Sequence, residues 1–213
     1  MANVTFENKT VIVTGAGNGL GKSYALEFGK RGANVVVNDL GGAVDGSGSG
    51  NTAADEVVDE IKNNGGNAVA NYDSVSSKEG GESIVNSAIE SFGAVHAVVN
   101  NAGILRDKSF AKLSEEEFNA VIDVHLKGTF FVCQPAFTHM KDNGYGRFVN
   151  VASPSGLFGN FGQANYAAAK MGIVGLTNII AIEGEKYNIK ANVLAPNATT
   201  RMTEDIFLSL IHI

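Results

Sequence analysis

Ser153, Tyr166 and Lys170 bring a hydroxyl, a phenol and an ammonium into one stretch, SPSGLFGNFGQANYAAAK, where a single reaction can use all three. Tyr166 and Lys170 stand four residues apart with three alanines between them. Alanine favours helix, and helical residues four apart share a face, so the phenol is expected beside a fixed positive charge. A free phenol titrates near ~10, and each unit of depression takes about 1.4 kcal/mol of preferential stabilisation of the phenolate. A neighbouring ammonium and a cationic cofactor would supply several such units. Ser153 closes the apolar run GRFVNVAS, which reads as a strand ending in a polar turn. Such strand ends are where α/β sheets keep their chemistry. The same Tyr–Lys spacing also occurs as an ordinary amphipathic pair, so the reading depends on what else the chain supplies.

Two further stretches make matching demands. KTVIVT is a short β-rich run followed at once by GAGNGLGKSYALEFGKRG, giving strand, glycine turn and helix. The glycines fall at Gly15, Gly17, Gly19 and Gly21, with neutral Asn18 in the turn and Leu20 where a GxGxxG pattern has its third glycine. Glycines allow a tight turn and close approach of a pyrophosphate, and free N–H groups at the helix start favour its charge. The next strand, ANVVVNDL, ends in Asp39, whose carboxylate would accept from ribose hydroxyls and repel a 2′-phosphate. No Lys or Arg immediately follows Asp39, so NAD is favoured over NADP. Asp73 and Ser74 end the third strand, where they either meet the adenine or cap a turn. NNAG ends the fourth, where Asn101, Ala102 and Gly103 let the backbone approach a cofactor.

Around these stretches, strands and helices alternate throughout. Helices are expected over ADEVVDEIKNNGG, KEGGESIVNSAIESFG and the uninterrupted SEEEFNAVIDVHLKGTFFVCQPAFTHMKDNG, with GGAVDGSGSGNTA as a mobile surface loop. Right-handed parallel crossovers then imply an α/β, Rossmann-like doubly wound sheet ordered 3-2-1-4-5-6.

The bulk properties exclude other classes. At 213 residues and 44% hydrophobic, the chain has ample core for one domain, and no apolar run reads as long enough to cross a bilayer. MANVTFENK carries no signal-peptide pattern. A net charge of -6 argues against nucleic acid as a partner. Cys133, the one cysteine, lies in a helical pattern as a packed thiol, and four scattered histidines offer no metal cluster.

TGAGNGLG, Asp39, NNAG, Ser153, Tyr166 and Lys170, all in order, resemble the short-chain dehydrogenase/reductase family. NDLGG, ANYDSV, NNAGILRDKSF, VHLKG and GNFGQANYAAAK are similar to the dehydrogenase domains of peroxisomal type 2 multifunctional enzymes and their bacterial relatives. The resemblance implies NAD-dependent oxidation of (3R)-hydroxyacyl-CoA to 3-ketoacyl-CoA in β-oxidation, with hydroxysteroid oxidation and 3-oxoacyl reduction as alternatives. It carries phosphate binding to Gly15, Gly19 and Gly21, ribose binding to Asp39, and catalysis to Ser153, Tyr166 and Lys170. It also implies a homo-oligomer, in the cytoplasm or, in a eukaryote, the peroxisome. His125 stands where many members carry a catalytic asparagine, and either holds a water beside Lys170 or bonds a backbone carbonyl. Asn197 replaces the usual glycine of a PG pair. Residues 1–207 read as one NAD-binding domain lacking a seventh strand by truncation, with LSLIHI at 208–213 as an adapter-derived tail. An inactive NAD-binding fragment is the alternative of another class.

Overall fold

A computed structural model of the chain describes residues 4–197. Six short segments form its strands, the central ones rich in valine: β1 (Thr10–Thr14), β2 (Asn34–Asn38), β3 (Asn67–Asn71), β4 (Ala97–Asn100), β5 (Gly146–Val151) and β6 (Ile189–Leu194). All pairings are parallel and the order is β3-β2-β1-β4-β5-β6, as the alternation requires. The order of strand addition reverses between β1 and β4, which opens a crevice at their carboxyl ends.

Successive residues of each strand face opposite layers. Val11, Val13, Val35 and Val37 pack with α1 (Gly19–Lys30) and α2 (Thr52–Asn63), through Ala25, Ala54, Val57, Val58 and Ile61. Ile12, Val36, Val98 and Phe148 pack on the other face against α3 (Lys78–Phe92) and α5 (Gly128–Asn143), through Ile84, Val85, Val132, Ala136 and Met140. Burial on both faces is why these strands read as continuous apolar runs.

Polar side chains interrupt the valine layers at matched places. Asn67 donates to Asn34 at 3.2 Å, Asn38 to Asn71 at 2.9 Å and Asn100 to Asn150 at 2.8 Å, each across a strand pair. Asn150 continues to Thr177 at 2.9 Å, and Asn100 Nδ2 lies 3.1 Å from Cys133 Sγ. Burial pushes the Cys133 thiol up to about 12.

Three expectations need correction. The long helix is broken into α4 (Glu115–Ile122), a π turn (Asp123–Lys127) and α5. Ser114 and Glu117 cap α4 reciprocally, whereas the residue that widens the π turn leaves no mark in the apolar periodicity. The glycine-rich loop is bonded rather than loose: Ala43 N–H donates to Ser47 O at 2.8 Å and Gly50 N–H to Leu40 O at 2.9 Å. The helix α7 (Ala164–Gly184), with its terminal 3₁₀ turn to Tyr187, does have the length and apolarity to cross a bilayer. Core helices of soluble proteins share both properties. Here α7 packs along β5 and β6 and against α4 and the short helix α6 (Pro154–Phe158). The 208–213 tail and the seventh-strand expectation lie outside the described residues.

Candidate active site

A cleft of about 360 Å³ lies at the carboxyl ends of the central strands. Gly15, Asn18, Gly19, Leu20, Asp39, Asp73, Ser74, Asn101, Ala102 and Gly103 line it, so the sequence-predicted cofactor residues converge on one space. Gly21, Tyr166 and Lys170 are not on its lining. Gly15 adopts φ +62°, and a Cβ there would fall 2.7 Å from Ala102 Cα. A Cβ at Gly21 would fall 2.0 Å from Gly15 O, so Gly21 shapes the turn from behind. Asn18 is extended and its side chain caps nothing, which leaves the first amides of α1 without a side-chain acceptor.

The NNAG segment is bolted to this turn. Thr14 Oγ1 accepts from the N–H groups of Asn101 and Ala102 at 3.0 and 3.1 Å. Asn101 Nδ2 donates to the carbonyls of Thr14 and Gly15 at 3.2 and 3.0 Å. Asp39 accepts from Gly17 N–H and from Gly41 N–H, each at 2.7 Å, and keeps lone pairs on both oxygens for further donors. Asp73 lines the cleft while its Oδ2 accepts from Ser83 at 2.6 Å and Asn71 at 3.0 Å.

The second cluster is centred on Tyr166, in the first turn of α7. Ser153 is the N-cap of α6, with Oγ accepting from Ser155 N–H at 3.2 Å and in hydrogen-bond contact with the Tyr166 phenol. Lys170 follows one turn later; its Nζ lies 5.5 Å from the Tyr166 ring centroid and donates to Val151 O at 2.6 Å. Lys170 is only 3% exposed. Burial draws Lys170 down to about 7. Burial also raises Tyr166, Ser153 opposes this through its hydrogen bond, and the Asp107 carboxylate adds to the rise. With protein groups alone, the phenol is therefore not depressed as the spacing with Lys170 suggested, because burial acts on both partners.

His125 sits in the π turn with its ring edge-on to Tyr166, centroids 5.1 Å apart. Its Nε2 is held at Ile104, 3.0 Å from the backbone N and 2.8 Å from O. Its Nδ1 is buried without a partner. Burial, reinforced by Lys170, takes its pKa down to about 3, so the ring is neutral.

Sequence reasoning missed residues that tertiary contact brings in. Leu40, Ala43, Gly46 and Arg106 also line the cleft, from the glycine-rich loop and the segment after β4. Gln163 and Asp107 flank the Tyr166 turn, joined at 2.8 Å from Nε2 to Oδ2. The unusual glycine density of residues 41–50 was the one signal available for the loop.

The sequence pattern of the short chain dehydrogenase family matches residues 9–209. The chain belongs to that family. Members of that family are oxidoreductases that use nicotinamide dinucleotides. The chain is 58% identical over 204 residues to the peroxisomal hydratase-dehydrogenase-epimerase of Saccharomyces cerevisiae, covering 96% of this chain and 22% of the yeast protein. It is also 58% identical over 200 residues to a short-chain type dehydrogenase/reductase of Mycobacterium tuberculosis, covering 94% of this chain and 70% of that one. Among solved structures, a short chain dehydrogenase from Mycobacterium avium superposes with a TM-score of 0.86 at 46% identity, covering 94% of this chain and 71% of that one. The chain thus spans about a fifth of the yeast relative's length.

Proposed function

We propose that this short-chain dehydrogenase oxidises the hydroxyl of (3R)-hydroxyacyl-CoA to the 3-keto thioester with NAD. The observation that carries the reading is the pairing of the Ser153–Tyr166–Lys170 cluster with a glycine-lined cleft that has Asp39 at its side. The dehydrogenase named in the yeast relative, at 58% identity, supports the reaction class.

The residues present fit a dinucleotide: the Gly15 turn leaves room that a Cβ would fill, the first amides of α1 suit a pyrophosphate, and Asp39 retains lone pairs for ribose hydroxyls. When bound, NAD supplies the hydride acceptor and a positive charge beside the phenol. Tyr166 Oη, as phenolate, accepts the proton of the substrate hydroxyl as the carbon-bound hydrogen leaves as hydride. Ser153 Oγ donates to the developing ketone oxygen. Lys170 would hold positive charge below Tyr166 and bond the ribose hydroxyls. His125 fixes the ring from its edge, and its Nδ1 offers a place for one water.

The chain works as a homo-oligomer in this reading, in the cytoplasm, or in the peroxisome if its source is eukaryotic. Absorbance at 340 nm with (3R)- and (3S)-hydroxyacyl-CoA tests the reaction. NADH from the R isomer alone, lost in Tyr166→Phe with NADH binding retained, is the expected result. Turnover of neither isomer, or wild-type turnover by Tyr166→Phe, would overturn it.

A further inference from the structure

The segment from Ile104 to Lys108 touches both halves of the site. Toward the cleft, Leu105 N–H donates to Val44 O at 2.9 Å and Arg106 Nε donates to Asp45 O at 3.0 Å. Toward α7, Arg106 O accepts from Asn165 Nδ2 at 2.9 Å, and Asn165 Oδ1 accepts the Tyr166 N–H at 2.8 Å. Val44 and Asp45 lie at the middle of the glycine-rich loop, whose ends are tied by Gly50 N–H to Leu40 O and by Gly41 N–H to Asp39. Ala43 and Gly46 from that loop, and Arg106 itself, face the cleft.

A glycine-rich loop of this length loses much conformational freedom when it is fixed. Its end ties do not reach its middle, so the cross-cleft bonds at Val44 and Asp45 hold the loop against the opposite wall. The Arg106 bond is charge-assisted, and such bonds are stronger than neutral ones. Arg106 is the only side chain among these cross-cleft donors, since Leu105 uses its backbone.

We propose that Arg106 is a positioning residue whose guanidinium latches the Gly41–Gly50 loop across the cleft and so sets how fast a bound dinucleotide leaves. The proposal rests on reading the cleft as the dinucleotide site. The latch lies outside the Ser153–Tyr166–Lys170 cluster, and its first effect is on cofactor retention rather than on the chemical step.

The test uses the whole chain with NADH as the ligand. Stopped-flow displacement gives the release rate, and amide exchange of residues 41–50 reads the loop directly. Arg106→Ala is expected to release NADH about tenfold faster, equivalent to about 1.4 kcal/mol, and to speed loop exchange. Lys112→Ala, an exposed charge removed nearby, should change neither. Arg106→Lys should recover part of the loss, because it keeps the charge without the Nε–H. Deleting residues 46–49 should mimic Arg106→Ala, and the combined variant should release no faster than either alone. Unchanged release in Arg106→Ala, or full additivity with the deletion, overturns the latch. If Arg106→Ala does not fold, wild-type release by Arg106→Lys overturns it. Should wild-type protein fail to bind NADH, the dinucleotide reading is what falls. Loop exchange without ligand still decides the latch: unchanged exchange in Arg106→Ala refutes it.

Discussion

The carboxylate of Asp39 accepts the backbone N–H of Gly17 at 2.7 Å, tying the end of β2 to the glycine turn after β1. The same carboxylate accepts Gly41 N–H. Asp39→Ala should therefore loosen the turn and remove the proposed ribose acceptor together. NADH affinity is expected to fall at least about tenfold, the equivalent of about 1.4 kcal/mol, while NADPH affinity rises as the repelling charge disappears. Parallel fluorescence titrations with the two cofactors check both signs.

Lys170 is buried and its pKa is drawn down to about 7, below the ordinary lysine value near ~10.4. The unfolded chain thus binds the proton more readily than the folded one between these two values. Stability should rise with pH across that window, and the full penalty stands below about 7. Lys170→Met removes the titration, so the melting temperature of the variant relative to wild type should decline as pH rises from 7 toward 10. Thermal melts without cofactor measure this, and a difference that stays flat with pH would contradict the buried ammonium.

Ser153 lowers the Tyr166 pKa through its hydrogen bond, against the larger effect of burial. Ser153→Ala should shift the acid limb of kcat/KM to higher pH, beyond the loss of rate at every pH. A full pH–rate profile of both proteins separates the two effects.

Gly103 faces the buried His125 ring, and a Cβ at Gly103 would fall 2.3 Å from Cε1. The ring cannot easily retreat, since Nε2 is fixed at Ile104. Gly103→Ala should cost about 1–3 kcal/mol, the range typical of overpacked cores. Denaturant melts measure the loss, and turnover should fall with it because the ring abuts Tyr166.

Cys133 is buried with its thiol pushed up to about 12. At pH 8 it should resist a thiol reagent in the folded protein and react at the rate of unfolding when denaturant is added.

Much of this architecture was legible in the residues. Short apolar strands separated by amphipathic helices specify the sheet, and local chemistry marks Gly15, Asp39, Tyr166 and Lys170, because each acts within its own turn or strand end. Arg106 was invisible as a latch, since its partner is a backbone carbonyl 61 residues away with no side-chain signature. The π turn at His125 was hidden for a different reason: it spans only Asp123–Lys127, too few residues for a local change of period to show in an apolar pattern. The rise of the Tyr166 pKa was missed because a spacing argument sees the neighbouring ammonium and not the burial that weakens it.

The asparagine pairs between strands have a role that valine cannot fill. In a sheet covered on both faces, Val35, Val36 and Val37 could slide one place along β3 and still find apolar company. Such a slip would part Asn34 from Asn67 at the exposed end of the pair and Asn38 from Asn71 inside it, leaving the last two as buried amides without partners. Asn100 and Asn150 impose the same condition on β4 and β5. Alignment is thus encoded by a few amides, and the strand ends that carry the turn, Asp39 and Ser153 arrive at one level because misaligned sheets are penalised.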